Sequence, residues 1–137
     1  MVSNLPKLDE INVLASEAHW AWPEALRNIF KPRGVNLLVA QSVGQFVNII
    51  EKKRIHTTIV DMDSEQSNGL ATVRIIRMDY PALPCILLAR GANEAMLGKA
   101  LQLDVFGVID KPVDMNVLRE VLNRLFLKKY GSDVFAE

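Results

Sequence analysis

Thr57-Thr58-Ile59-Val60-Asp61-Met62-Asp63 decides the fold. The run Thr57 to Val60 has the length of a strand, and its lack of polar alternation suits a strand covered on both faces, as in a parallel sheet between helices. Two carboxylates close it. Upstream, Ile11-Asn12-Val13-Leu14-Ala15 and Val35-Asn36-Leu37-Leu38-Val39-Ala40 read the same way, and downstream so does Cys85-Ile86-Leu87-Leu88-Ala89. Val105-Phe106-Gly107-Val108-Ile109 is a fifth strand that Gly107 places nearer a sheet edge. Between the runs, apolar residues recur at helical spacing: Trp22, Leu26, Ile29 and Phe30; then Val43, Phe46, Val47 and Ile50. Asn68-Gly69 turns into a third helix with Leu70, Val73 and Ile76, and Ala92 to Leu101 is a short, Ala-rich fourth. The fifth carries Leu118, Val121, Leu122 and Leu125, with Asp114 placed to cap its N-terminus. Strand and helix alternate five times, and right-handed crossovers turn that order into a doubly wound α/β domain. Residues 9–128 are the expected domain; 129–137, without a convincing period, read as a C-terminal tail or linker remnant.

Composition removes several function classes. The chain has 137 residues, enough for one core, and its 16 basic and 16 acidic residues cancel. Zero net charge gives no broad attraction to nucleic acid or to an anionic membrane. Lys52-Lys53-Arg54 is short, follows a helical stripe and reads as a solvated face, with His56 beside it at the surface. Cys85, the single cysteine, lies in an apolar strand and has no partner for an intramolecular disulfide, which fits a reducing cytoplasm. No apolar run reaches the roughly 18 to 20 residues of a membrane span, and Asp9 and Glu10 interrupt the opening segment where a signal peptide would be apolar. His19 and His56 are too few for a multi-histidine zinc centre, no Ser-His-Asp or Cys-His set is present, and the glycines do not form a phosphate loop.

In an open parallel sheet the functional crevice lies at the carboxyl ends of the strands. Those ends carry Ser16-Glu17, Gln41-Ser42, Asp61-Met62-Asp63, Ala89-Arg90 and Asp110-Lys111-Pro112. Glu17 and Asp61, converging with a backbone carbonyl, would form a hard oxygen site for Mg²⁺, and Lys111 would counter the charge of the carboxylates or of a phosphoryl group.

Asp61 at the end of the third strand, Gly69 soon after it, Pro84 before the fourth strand and Lys111-Pro112 after the fifth together resemble the receiver domain of two-component response regulators, over roughly residues 10–128. The resemblance implies a flavodoxin-like receiver fold, with five parallel strands in the order 2-1-3-4-5 flanked by five helices. It implies that Asp61 accepts a phosphoryl group from a histidine kinase or phosphotransfer protein. It also places Glu17, Asp61, the backbone carbonyl of Asp63 and, as an added oxygen, Ser16 around Mg²⁺, and puts Lys111 against the acceptor, with Lys111-Pro112 a candidate cis peptide. A homodimer through helix four, strand five and helix five follows from the same resemblance, with no direct nucleic-acid or membrane contact by this chain. Such a module signals by changing a surface and is not an enzyme turning over a diffusible substrate.

The departures from that family's pattern shape the expectation further. Ser16-Glu17 stands where two adjacent acids are usual, so Mg²⁺ binding should be weak or lost. Ala89 replaces a hydroxyl residue, Val108 replaces an aromatic, and Ser64-Glu65 replaces Met-Pro. The alternative function is therefore a phosphorylation-independent pseudo-receiver, a protein-interaction or dimerisation module of the same fold. A flavodoxin-like cofactor carrier fits poorly, because Ser16-Glu17-Ala18 brings negative charge where a phosphate would be cradled.

Overall fold

A computed structural model describes residues 10–16, 22–63, 69–91 and 94–136. Five strands, β1 (Ile11–Ser16), β2 (Val35–Ala40), β3 (Thr57–Asp61), β4 (Cys85–Ala89) and β5 (Gly107–Asp110), alternate with five helices. The helices are α1 (Trp22–Phe30), α2 (Val43–Lys52), α3 (Gly69–Asp79), α4 (Glu94–Gln102) and α5 (Met115–Tyr130), with a short 3₁₀ turn over Lys31–Arg33 after α1. All neighbouring strands are parallel and lie in the order β2-β1-β3-β4-β5. The order reverses between β1 and β3, which opens the crevice of a doubly wound sheet at their carboxyl ends.

Period-two alternation of strand side chains builds two cores from one sheet. Val13, Ala15, Ile59, Ile86 and Leu88 point to one face, where α1 and α5 cover them with Leu26, Phe30, Leu118, Leu122 and Leu125. Leu14, Val60, Cys85 and Leu87 point to the other, under Phe46 of α2, Val73 and Ile76 of α3 and Ala100 of α4. Strands β1, β3 and β4 are buried at every position, as central parallel strands with helices over both faces are. β2 departs from the expectation of two covered faces: Asn36 is exposed and Leu37, Leu38 and Val39 are half-buried. It is an edge strand, so no further strand closes over it, and apolar content alone does not separate an edge from a centre.

Two boundaries also move. β5 begins at Gly107 because Asp104 adopts a left-handed φ of 54° and turns the chain after α4, leaving Val105 and Phe106 in the approach to the strand. At the C-terminus, α5 continues to Tyr130 and stops at Gly131, whose left-handed conformation lets its N–H bond Leu127 and Phe126 carbonyls. The chain then folds back. Phe135 is fully buried, edge-on to Phe30 and Phe126 with ring centroids 5.4 and 5.0 Å away, and its carbonyl accepts a 2.7 Å bond from Arg119 Nη1. Residues 129–135, read from the sequence as tail, thus complete the α1–α5 core; one aromatic in a short irregular segment has no period to reveal it.

Candidate functional site

Strand β3 delivers Asp61 to the carboxyl edge in a nearly closed environment, 2% exposed. Its backbone N–H donates to Ser16 Oγ at 2.7 Å, tying the end of β3 to the end of β1, and the Met62 N–H donates to the Leu88 carbonyl at 2.8 Å. Asp61 Oδ1 accepts the N–H of Asp63 at 2.9 Å, an Asx turn that curls the chain over the carboxylate. Helix α3 then starts hard against the same backbone: a Cβ on Gly69 would lie 2.8 Å from the Asp61 carbonyl oxygen and 2.8 Å from Met62 Cα. Glycine is required there by the close approach of two backbones, which gives a physical reason for its spacing from Asp61.

The opposite wall comes from β5. Lys111 follows the strand, its N–H bonded to the Ala89 carbonyl at 3.1 Å, and the Lys111-Pro112 peptide is cis as the sequence reading anticipated. The lysine side chain reaches back across β4, placing Nζ 2.5 Å from Asp61 Oδ1 and 3.2 Å from Asp63 Oδ2. The first pair is nearly dry, with side-chain exposures of 8% and 3%, whereas Asp63 is 37% exposed. Removing one member of such a buried pair leaves a charge that water cannot reach, at a cost of about 3–5 kcal/mol. Asp63 Oδ2 also accepts the Arg90 N–H at 2.7 Å, linking the β3–α3 and β4–α4 connections.

Of the site residues expected from the sequence, Ser16, Asp61, Asp63 and Lys111 lie together at this edge. Glu17, His19, Trp20, Ser64 and Glu65 lie outside the described residues. Ala89 is fully buried and pairs with Asp110 across β4–β5, and Val108 is half-buried against the α2–α4 core. The sequence reading assigned only the backbone carbonyl of Asp63 to the site and missed its carboxylate; the Asp-x-Asp spacing at a strand end was the available signal.

Two other expectations resolve away from this edge. Lys52, Lys53 and Arg54 are exposed, as a solvated face demands. His56 is not at the surface: it is 1% exposed, at the amino end of β3. Burial and the nearby Arg54 lower its pKa from the ordinary 6.5, against smaller raising effects from Asn12 and Glu10. Burial also pushes the Cys85 thiol up to about 11, so it packs as an unreactive hydrophobe.

A buried carboxylate at the end of the third of five parallel strands, met by a lysine from the fifth, agrees with the family comparison: the response regulator receiver domain profile matches residues 13–123. The chain belongs to the response regulator receiver domain family. A putative NtrX-like response regulator of Rickettsia typhi is 27% identical to this receiver over 107 residues, covering 74% of this chain and 22% of that protein. The receiver spans 20% to 28% of the curated relatives it matches. A response regulator receiver protein from Pseudomonas putida, 26% identical, superposes with a TM-score of 0.76 over 86% of this chain and 99% of that one. The signal receiver domain of an HD domain-containing protein from Pseudomonas fluorescens Pf-5 shares the fold at 18% identity, with a TM-score of 0.79 over 90% of this chain and 99% of that one. No helix among the described residues is long and apolar enough to cross a membrane.

Proposed function

We propose that this receiver takes a phosphoryl group onto Asp61 from the phosphohistidine of a histidine kinase or phosphotransfer protein and passes the change on through its surface. The observation that carries the reading is the 2.5 Å contact between Lys111 Nζ and Asp61 Oδ1 inside the carboxyl-edge crevice. In the transfer a carboxylate oxygen of Asp61 bonds to phosphorus while the P–N bond breaks, and the electron pair of that bond stays on the imidazole nitrogen. Lys111 offsets charge on the phosphoryl oxygens without having to be recruited from water.

The donors gathered beside Asp61 are oxygens, which fits a hard cation such as Mg²⁺. Asp61, the Asp63 carbonyl and Glu17 would hold it, with Ser16 as a neutral oxygen where a second acid is usual; binding is accordingly weak. When bound, Mg²⁺ neutralises phosphoryl charge. The Ser16 hydroxyl meanwhile holds the acceptor's own backbone through the Asp61 N–H.

Ala89 offers no hydroxyl to a phosphoryl group and Val108 no aromatic ring to reorient, so the surface change is smaller than in receivers that have both. The face formed by α4, β5 and α5 is the docking surface for a second copy or another protein, a reading supported by Leu97, Leu101 and Val117, which are 44%, 82% and 42% exposed. The balanced net charge supports a protein partner over nucleic acid, and the unpaired buried cysteine supports a cytoplasmic setting.

The test is intact-protein mass spectrometry after exposure to Mg²⁺ and a small phosphodonor. Wild type gains one phosphoryl mass and Asp61→Ala gains none. Absence of an Asp61-dependent adduct, from the small donor and from the kinase alike, would replace this reading with a phosphorylation-independent interaction module.

A further inference from the structure

Asp63 Oδ2 has two partners on two different walls of the crevice: Lys111 Nζ at 3.2 Å and the Arg90 N–H at 2.7 Å. The lysine in turn holds Asp61 Oδ1 at 2.5 Å. An unbroken chain of charge-assisted contacts thus runs from the Asp61 carboxylate through Lys111 and Asp63 to the β4–α4 connection, where Ala89 has no polar side chain to offer. We infer that Asp63 is a positioning residue, whose carboxylate transmits the position of Lys111 to the backbone at Arg90 and so to α4. The inference rests on the reading of Asp61 as phosphoacceptor.

The physical argument is one of shared charge. Asp61 and Asp63 divide a single ammonium, and an acceptor oxygen with two donors bonds each less strongly than it would bond one. Phosphorylation turns the Asp61 carboxylate into a neutral acyl group and places the new negative charge on phosphoryl oxygens farther from the β3 backbone. Lys111 follows that charge. Asp63, 37% exposed, then keeps the Arg90 N–H as its remaining strong partner and is repelled by the phosphoryl oxygens beside it. Both effects displace the β4–α4 connection. Gly91, at a left-handed φ of 62°, sits next to Arg90, and α4, with exposed Leu97 and Leu101, follows.

Amide NMR tests the contact before any modification. In the unmodified protein the Arg90 amide proton should move upfield in Asp63→Asn, which keeps an oxygen acceptor but loses the charge, and farther in Asp63→Ala, while the Leu87 amide stays in place. Indistinguishable Arg90 shifts in the three proteins would overturn the inference at once. Mg²⁺ and beryllofluoride then supply an Asp61 adduct, detected by its own fluorine resonance and absent from Asp61→Ala. The adduct-induced shift at Arg90 should be roughly halved in Asp63→Asn, as a charge-assisted bond becomes a neutral one, and smaller still in Asp63→Ala. An adduct that moves Arg90 equally in all three would overturn the relay while leaving Asp61 as acceptor. Failure of wild type to form an adduct would overturn the acceptor reading and the relay together, and the first measurement would still judge the contact.

Discussion

The two ends of the sheet solve the problem of buried polarity in opposite ways. At the carboxyl end, Asp61 and Lys111 are ionic, with side chains 3% and 8% exposed, and Asp63 opens the cluster to solvent. At the amino end, Asn12 and His56 exchange neutral bonds. The Asn12 N–H donates to His56 Nδ1 at 3.1 Å, and the His56 N–H returns to the Asn12 carbonyl at 2.9 Å. Asn12 Nδ2 reaches the Arg54 carbonyl at 2.9 Å, Asn36 Nδ2 reaches Asn12 Oδ1 at 3.0 Å, and Tyr130 Oη donates to the His56 carbonyl. An acceptor role for Nδ1 requires a neutral imidazole with its proton on Nε2. The neutral end joins β1, β2, β3 and α5 and stabilises them, whereas the ionic end concentrates charge at the carboxyl edge of the sheet. A buried ion pair is poor value for stability alone, since hydrophobic residues of equal volume often serve as well. Among the described residues that arrangement is found at the carboxyl end, where the site proposed above lies.

The comparison breaks most sharply at Lys111. Lys111→Met should lower the unfolding free energy by about 3–5 kcal/mol, because Asp61 is left charged and nearly dry. The double variant Asp61→Asn/Lys111→Met should recover most of that loss, as read by urea denaturation. An equal loss in single and double variants would mean that packing, not the stranded charge, sets the cost. A smaller effect belongs to the backbone that frames the acceptor. Gly69→Ala should destabilise by about 1–3 kcal/mol and shift the Asp61 and Met62 amides, since the added methyl meets backbone atoms at 2.8 Å. Retained stability together with unmoved amides would remove the close approach as the reason for glycine.

The mildest effect tests the neutral end. The folded pKa of His56 lies below its ordinary value of 6.5, so at low pH the unfolded chain binds a proton that the folded one resists. The stability owed to neutral His56 is complete above pH 6.5 and is lost progressively as the pH falls from there through the folded pKa. Thermal denaturation between pH 8 and pH 5 should show a smaller decline for His56→Gln than for wild type. Parallel pH profiles would assign the acid sensitivity to other groups.

Much of this was legible beforehand for simple reasons. Runs such as Cys85 to Ala89 are apolar at every position because both faces of a central parallel strand are covered, and that requirement is written residue by residue. Asp114 announced its cap in the same local way: its Oδ1 accepts the Asn116 and Val117 N–H groups at 2.8 and 3.4 Å. Asp61 and Lys111 were recognisable because each sits at a strand end whose position the alternation already defines. His56 was misread because its flanking Lys52, Lys53 and Arg54 are solvated, and a neighbour in sequence says little about a side chain pointing the other way from a strand.

Local pattern, then, determined the five strands, the five helices, the direction in which they wind and the residues that end each strand, because the spacing of apolar residues along the chain records which faces of an element are to be covered. The tertiary structure alone decided two things that depend on residues far apart in sequence. It folded Phe135 back between Phe30 and Phe126, and it brought the Asp63 carboxylate between Lys111 and the Arg90 N–H. Contacts of that range are made by the closing of the sheet and its helices into one body; the spacing of Asp61 and Asp63 put a second carboxylate at the strand end but did not name its partners.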